Sequence, residues 1–113
     1  NNSRKEDQFG AYKALKMATL GGALTLGLSD SIGSIEIGKK ADLISVDLSK
    51  AHTRPTFCPV TTLVFSARGA DVNMTMVDGK FLFKDNQILT FNESKLYESV
   101  EVIEQRLKRL DSD

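Results

Sequence analysis

The pair Asp78-Gly79 constrains this chain more than any other feature. It stands between two runs of mixed apolar and polar character, Val72 to Val77 and Lys80 to Lys84. Asp-Gly between such runs predicts a two-residue hairpin, because both turn positions need positive φ, which Asp tolerates and Gly adopts freely. The expected register puts Val77 opposite Lys80, Met76 opposite Phe81 and Met74 opposite Phe83. A polar turn at Asp85-Asn86-Gln87 and a third run, Ile88 to Thr90, extend the hairpin to a meander.

Helical spacing brackets that meander. From Ala11 to Leu28 the residues Ala14, Leu15, Met17 and Ala18 repeat with helical period, but Gly21 and Gly22 interrupt at a cost of about 1 kcal/mol each. Two short helices are therefore expected, with Thr19 capping the second and Gly27 near its end. Ser34 to Ile37 reads as a short extended stretch, Gly38-Lys39-Lys40 as a turn, and Ala41 to Leu48 as a strand. Its continuous apolar run at Leu43, Ile44 and Val46 suggests cover on both faces. Pro59 opens a helix to about Ala67 with Val60, Leu63, Val64 and Ala67 on one side. Asn92 caps a last helix whose stripe is Leu96, Tyr97, Val100, Ile103, Leu107 and Leu110, expected to pack on the sheet.

Composition narrows the partners. Fifteen Lys plus Arg balance fifteen Asp plus Glu, so no strong field gathers nucleic acid or an anionic membrane. The single cysteine, Cys58, cannot form an internal disulfide, which fits a reducing, cytoplasmic setting. No apolar run approaches the ~20 residues of a membrane helix, and Asn1 to Gln8 is too polar for a signal peptide. The lack of an initiator Met points to a piece of something longer. At 113 residues one domain is expected, burying roughly 65% of its unfolded surface.

Three stretches together resemble one family. Ala14-Leu15-Lys16-Met17-Ala18-Thr19-Leu20-Gly21-Gly22-Ala23, running to Leu26-Gly27-Leu28, resembles the last barrel helix and following short helix of metal-dependent amidohydrolases. Ile32-Gly33-Ser34-Ile35-Glu36-Ile37-Gly38-Lys39-Lys40-Ala41-Asp42-Leu43 is similar to the stretch by which that superfamily leaves its barrel and enters a small β domain. Pro59-Val60-Thr61-Thr62-Leu63-Val64-Phe65-Ser66-Ala67, with Gly69, Asp71-Val72 and Val77-Asp78-Gly79-Lys80, resembles the branch of methylthioadenosine and S-adenosylhomocysteine deaminases, guanine deaminases and triazine chlorohydrolases. Cys58 departs from the Asp or Asn that this branch places before the Pro, so the helix start is expected to be weaker.

The resemblance implies an α+β segment: the end of a (β/α)8 barrel, then part of the small β domain and a terminal helix. The implied boundaries are a polar lead-in at 1–10, barrel helices at 11–31, the β portion at 32–91 with a helix at 59–67, and the last helix at 92–113. It also implies a parent enzyme that uses zinc or iron to activate water for attack on a purine-like or triazine-like substrate. The family's ligands, a His-x-His pair, two later histidines and an Asp, would all lie upstream of Ala11. The implied partner is the missing barrel. Its absence would bare the first helix and a sheet edge, so a homo-oligomer is expected, with the first or last helix exchanged between copies.

Residue by residue, the chain offers no catalytic, cofactor-binding or metal-ligating assignment. His52, its only histidine, reads as a solvated loop residue, since no second ligand stands at metal-site spacing. Cys58 as a nucleophile would need a depressed pKa and a nearby base; a half-buried packing thiol is the plainer reading. Lys39 and Lys40 read as solvated turn residues, and Met17, Met74 and Met76 as core. Asp42 and Asp78 read as local backbone acceptors rather than paired acids. Two expectations stand side by side: a non-catalytic segment of a metal-dependent aminohydrolase or chlorohydrolase, or a standalone interaction module with the same fold.

Overall fold

In the computed structural model, residues 10–112 are described, and they form an α+β unit. Apart from Gly10, the expected lead-in lies outside the described residues. The first helix, α1, runs over 10–25. The two glycines do not split it. The helix passes through a π turn at Met17–Gly21 and resumes at Gly22–Thr25. Thr19 therefore caps nothing: its hydroxyl donates to the Leu15 carbonyl one turn back, at 2.7 Å. The helix ends in a Schellman turn, with Leu28 N donating to Ala23 O at 2.8 Å, Gly27 N to Leu24 O at 3.0 Å, and Gly27 at φ +71.

The segment expected to extend over Ser34 to Ile37 is a series of bends and turns that leaves Ile35 and Ile37 exposed. The strand after it is shorter than expected. β1 spans Leu43–Val46, followed by α2 at Pro59–Phe65, β2 at Val72–Val77, β3 at Lys80–Lys84, β4 at Gln87–Ile88 and α3 at Glu93–Leu110. The sheet is antiparallel in the order β1-β2-β3-β4, which leaves β1 as an edge. Ile44 is exposed, so the strand is not covered on both faces.

Asp78 and Gly79 form the hairpin turn at φ 50 and 75. Val77 pairs with Lys80 and Met76 with Phe81, as the two-residue loop requires. Beyond them a bulge intervenes. Leu82 is left unpaired, so Thr75 faces Phe83 and Met74 faces Lys84, where Met74 opposite Phe83 had been expected. Leu82 still uses its carbonyl, which accepts from Leu89 N at 2.8 Å as the chain returns along β4.

α2 begins at Pro59 in its first turn, with Cys58 before it giving no side-chain cap, and its buried residue is Thr62. α3 is capped as expected, Lys95 N donating to Asn92 Oδ1 at 3.1 Å. Its stripe does not pack on the sheet. No residue of α3 is buried, and the stripe residues run from 42% exposed at Val100 to 73% at Leu110. Met17 is likewise exposed rather than core, whereas Met74 and Met76 are half-buried.

Among the described residues only Ala11 and Ala23 are buried hydrophobics, and the largest fully buried side chain is a carboxylate, Asp71. The radius of gyration, 19.6 Å, exceeds the roughly 13 Å of a compact domain of this length. Local geometry and polar staples therefore hold the frame more than a closed core does. Replacing Gly79 by Val, which resists φ +75, is expected to cost about 1–3 kcal/mol and to lower the melting temperature. Thermal melts of Gly79→Val against the parent check it, and an unchanged midpoint would refute this account of the turn.

Candidate functional site

Two features stand out, an apolar cleft and a buried carboxylate. The cleft encloses about 710 Å³ between α1, the 32–35 loop and the β1–β2 face. Its walls are short or aliphatic side chains: Leu15, Ala18, Gly22 and Ala23 from α1, Ile32 from the loop, and Leu43 and Met76 from the strands. Gly33 makes the junction close. It sits at φ +95, and a Cβ there would lie 2.7 Å from Ala23 Cβ and 3.0 Å from Leu20 Cα. A cleft whose lining is mainly apolar, with Thr19, Ser34, Asp42 and Thr75 as its polar members, suits a packing partner better than a reaction. Gly33→Ala combines backbone strain with overpacking, so a loss of about 1–3 kcal/mol is expected, read by urea unfolding. A variant as stable as the parent would show that the loop does not rest on α1.

The loop beyond Gly33 is tied by Lys39. Its ammonium donates to Ser34 Oγ at 2.7 Å and to Ile32 O at 3.5 Å, and lies 3.1 Å from Glu36 Oε2. The Ser34 hydroxyl donates to that same carboxylate. Hydrogen bonds from Ser34 and Lys39 hold Glu36 below its ordinary pKa. Lys39 is therefore a structural staple and not a solvated turn residue, while Lys40 is exposed as expected.

Asp71 is 1% exposed. One carboxylate oxygen, Oδ2, accepts from Arg68 N at 2.8 Å and meets His52 Nε2 at 2.7 Å; the other lies 3.2 Å from Lys50 Nζ. The reading of His52 as a solvated loop residue is thus overturned. The sequence separation of 19 hid the pairing, since nothing local to His52 signals a partner. The His52 hydrogen bond, then the Arg68 amide and Lys50, pull the Asp71 pKa from 3.8 to about 2 against the opposing effect of burial. The stabilisation this shift carries is full above pH 3.8 and is lost as pH falls through about 2. The part of the stability gap between parent and Asp71→Asn that this shift carries should accordingly close through that acidic window. Urea titrations at stepped pH measure it, and a gap unchanged at the acid end would remove the carboxylate from the account.

The other residues weighed fall into place around these features. Asp42 Oδ1 accepts from Asp78 N at 2.7 Å, so the two are joined across the hairpin as acceptor and amide and not as paired acids. Cys58 is half-buried, and its thiol is held below the usual value by the Thr61 side chain and the amides of Thr61 and Val60. The only imidazole of the chain is engaged elsewhere, with Asp71. Among the described residues no three His, Cys, Asp or Glu side chains gather as a metal site. None of the described helices is long and apolar enough to cross a membrane.

Comparison with known proteins agrees with this frame. Residues 1–82 match the amidohydrolase family. Over 100 residues the chain is 41% identical to a 5-methylthioadenosine/S-adenosylhomocysteine deaminase of Acetivibrio thermocellus, covering 88% of this chain and 23% of that one. Against a 5'-deoxyadenosine deaminase of Methanosarcina acetivorans it is 41% identical over 97 residues, or 86% of this chain and 22% of the relative. Among solved structures, an adenosine deaminase from Xanthomonas campestris with bound zinc superposes with a TM-score of 0.77 at 34% identity, covering 88% of this chain and 23% of that one. An atrazine chlorohydrolase from Arthrobacter aurescens, complexed with zinc, shares the fold at a TM-score of 0.70 and 23% identity, over 81% of this chain and 20% of that one. The chain thus spans under a quarter of the length of these relatives, and the described residues do not supply a zinc site like the one those structures hold. Matched by the family over residues 1–82, well over half of its length, the chain belongs to the amidohydrolase family.

Proposed function

We propose that this chain is the C-terminal segment of a metal-dependent aminohydrolase: it closes one side of the catalytic barrel, completes a small β domain and contributes no catalytic group. The observation that carries this reading is the cleft of about 710 Å³, apolar and open on a chain that matches deaminases over 88% of its own length but 23% of theirs. In this reading α1 is the last helix of the barrel, and the cleft and the free edge of β1 are covered by the upstream part of the same protein. Within the purine-like or triazine-like substrates the family resemblance implies, the relatives' names, 5-methylthioadenosine/S-adenosylhomocysteine deaminase and 5'-deoxyadenosine deaminase, support 5'-substituted adenosines for the parent enzyme. Its metal would be held by upstream residues, because hydrolytic sites need three or more converging ligands and the single His52 is committed to Asp71. A cytoplasmic setting fits the lone cysteine.

The competing reading is a standalone, non-catalytic interaction module of the same fold; the exposed stripe of α3 is what favours it. The purified chain is expected to retain no stoichiometric zinc after dialysis and to leave the ultraviolet absorbance of 5'-methylthioadenosine unchanged. Persistent one-to-one zinc together with turnover would sink the proposal. The gene discriminates the two readings: an upstream frame of several hundred residues with a His-x-His pair supports the segment, and a start codon next to Asn1 supports the module.

A further inference from the structure

Asp78-Gly79, the pair that turns the hairpin, also carries a chemistry of its own. It is the only Asp or Asn of the chain followed by glycine. Where Gly follows Asp, its amide nitrogen can attack the Asp side-chain carboxyl carbon, because no Cβ stands in the way. A new N–Cγ bond closes a five-membered succinimide, and the carboxyl hydroxyl leaves with the amide hydrogen as water. Water then opens the ring at either carbonyl. Opening at the former backbone carbonyl routes the main chain through Cβ and Cγ, which is isoaspartate, and leaves the α-carboxylate as a branch. Water is the only co-reactant.

Both residues are exposed, so water reaches them. The folded hairpin nevertheless opposes ring closure in two ways. The Gly79 nitrogen must be free to attack, yet it donates to Ala41 O at 3.1 Å. Asp78 must swing its carboxyl toward that nitrogen by rotating its backbone, yet φ 50 and the bond from its own amide to Asp42 Oδ1, at 2.7 Å, keep it in the turn. The Asp42 bond is the stronger of the two, since it is shorter and its acceptor is a carboxylate. Both acceptors belong to the two residues just before β1, so the two bonds break together when the hairpin tip lifts from that strand.

We propose that Asp78-Gly79 is a site of isoaspartate formation whose rate is set by the clamp from Ala41 and Asp42. Closed, the clamp keeps the residue as aspartate; opened, it releases the pair to ring closure. Isoaspartate adds a main-chain carbon inside a two-residue loop, so the modified chain no longer closes Val77 against Lys80 with the same turn or presents the Asp78 amide to Asp42. Modification therefore holds the clamp open and detaches the start of β1. The site does not depend on what the parent enzyme does.

The experiment ages the 113-residue chain at neutral pH and physiological temperature and resolves its tryptic peptide 69–80 into aspartyl and isoaspartyl forms. Hydrogen exchange of the Gly79 amide reads the opening, and a synthetic peptide of residues 73–84 supplies the unclamped rate. The parent is expected to isomerise at least about tenfold more slowly than the peptide. Asp42→Ala, which removes the carboxylate acceptor, should isomerise about threefold to tenfold faster than the parent, and Asp42→Asn, which keeps a neutral acceptor, should fall between them. Across the three proteins the rate should follow Gly79 exchange. In Asp42→Asn the exchange of Leu28 N, bonded to Ala23 O at the end of α1, should stay as in the parent, since only the hairpin tip has been loosened. A parent as fast as the free peptide, variants no faster than the parent, a rate that does not follow Gly79 exchange, or Leu28 exchange that rises with it in Asp42→Asn would each overturn the proposal.

Discussion

The buried carboxylate of Asp71 is the constraint on which the frame depends. Its side chain gathers the Arg68 amide, His52 and Lys50, and its own carbonyl accepts from Asp47 N at 2.8 Å, extending the β1–β2 ladder by one bond. One residue thus ties the 50–53 loop, the 68–71 turn and the end of the sheet. Ser49, by hydroxyl and amide, holds the neighbouring Asp47 below its ordinary pKa, so the strand end is fixed on its other side as well. An ionised group with so little access to water is tolerable only because hydrogen bonds and the Lys50 ammonium meet it. Removing any one partner leaves a buried charge short of compensation.

The opposite end of the same strand pair is pinned by a second aspartate. Asp42 accepts from Asp78 N, and Gly79 N donates to Ala41 O at 3.1 Å, so the tip of the hairpin is fastened to the start of β1. Between the two aspartates the strands carry a bulge on each side of β2, at Asn73 against β1 and at Leu82 in β3. Each bulge increases local twist and turns side chains relative to a regular ladder. The concave apolar face beneath α1 is therefore held by polar contacts at the ends of the strands.

What was legible in the sequence follows from range. The Asp78-Gly79 turn, the Asn92 cap and the Pro59 helix start are specified by neighbours within a few residues, and each stands where local chemistry places it. His52 with Asp71 joins loops 19 residues apart, so composition around His52 carries no trace of it. The Leu82 bulge moved Met74 from Phe83 to Lys84, a shift that alternation alone cannot signal because Leu82 is as apolar as its neighbours. The glycine pair at 21 and 22 misled in another way. Helix propensity prices a glycine but does not forbid it, and a π turn accommodates the site without a break. Resemblance found the family; it did not show that so little of the apolar surface would be buried.

That surface divides by shape. The cleft is concave, with the short residues Ala18, Gly22, Ala23 and Gly33 at the junction of α1 and the loop and larger aliphatic side chains such as Leu15, Leu43 and Met76 around them. α3 is convex, and its stripe of Leu, Val, Ile and Tyr is exposed along its length. The two faces therefore ask for different occupants. Small domains ordinarily gain their stability from apolar burial, with polar contacts refining it. Among the described residues of this chain the closed contacts are the polar ones at Asp71 and Asp42, and the apolar faces between and beyond them stay open.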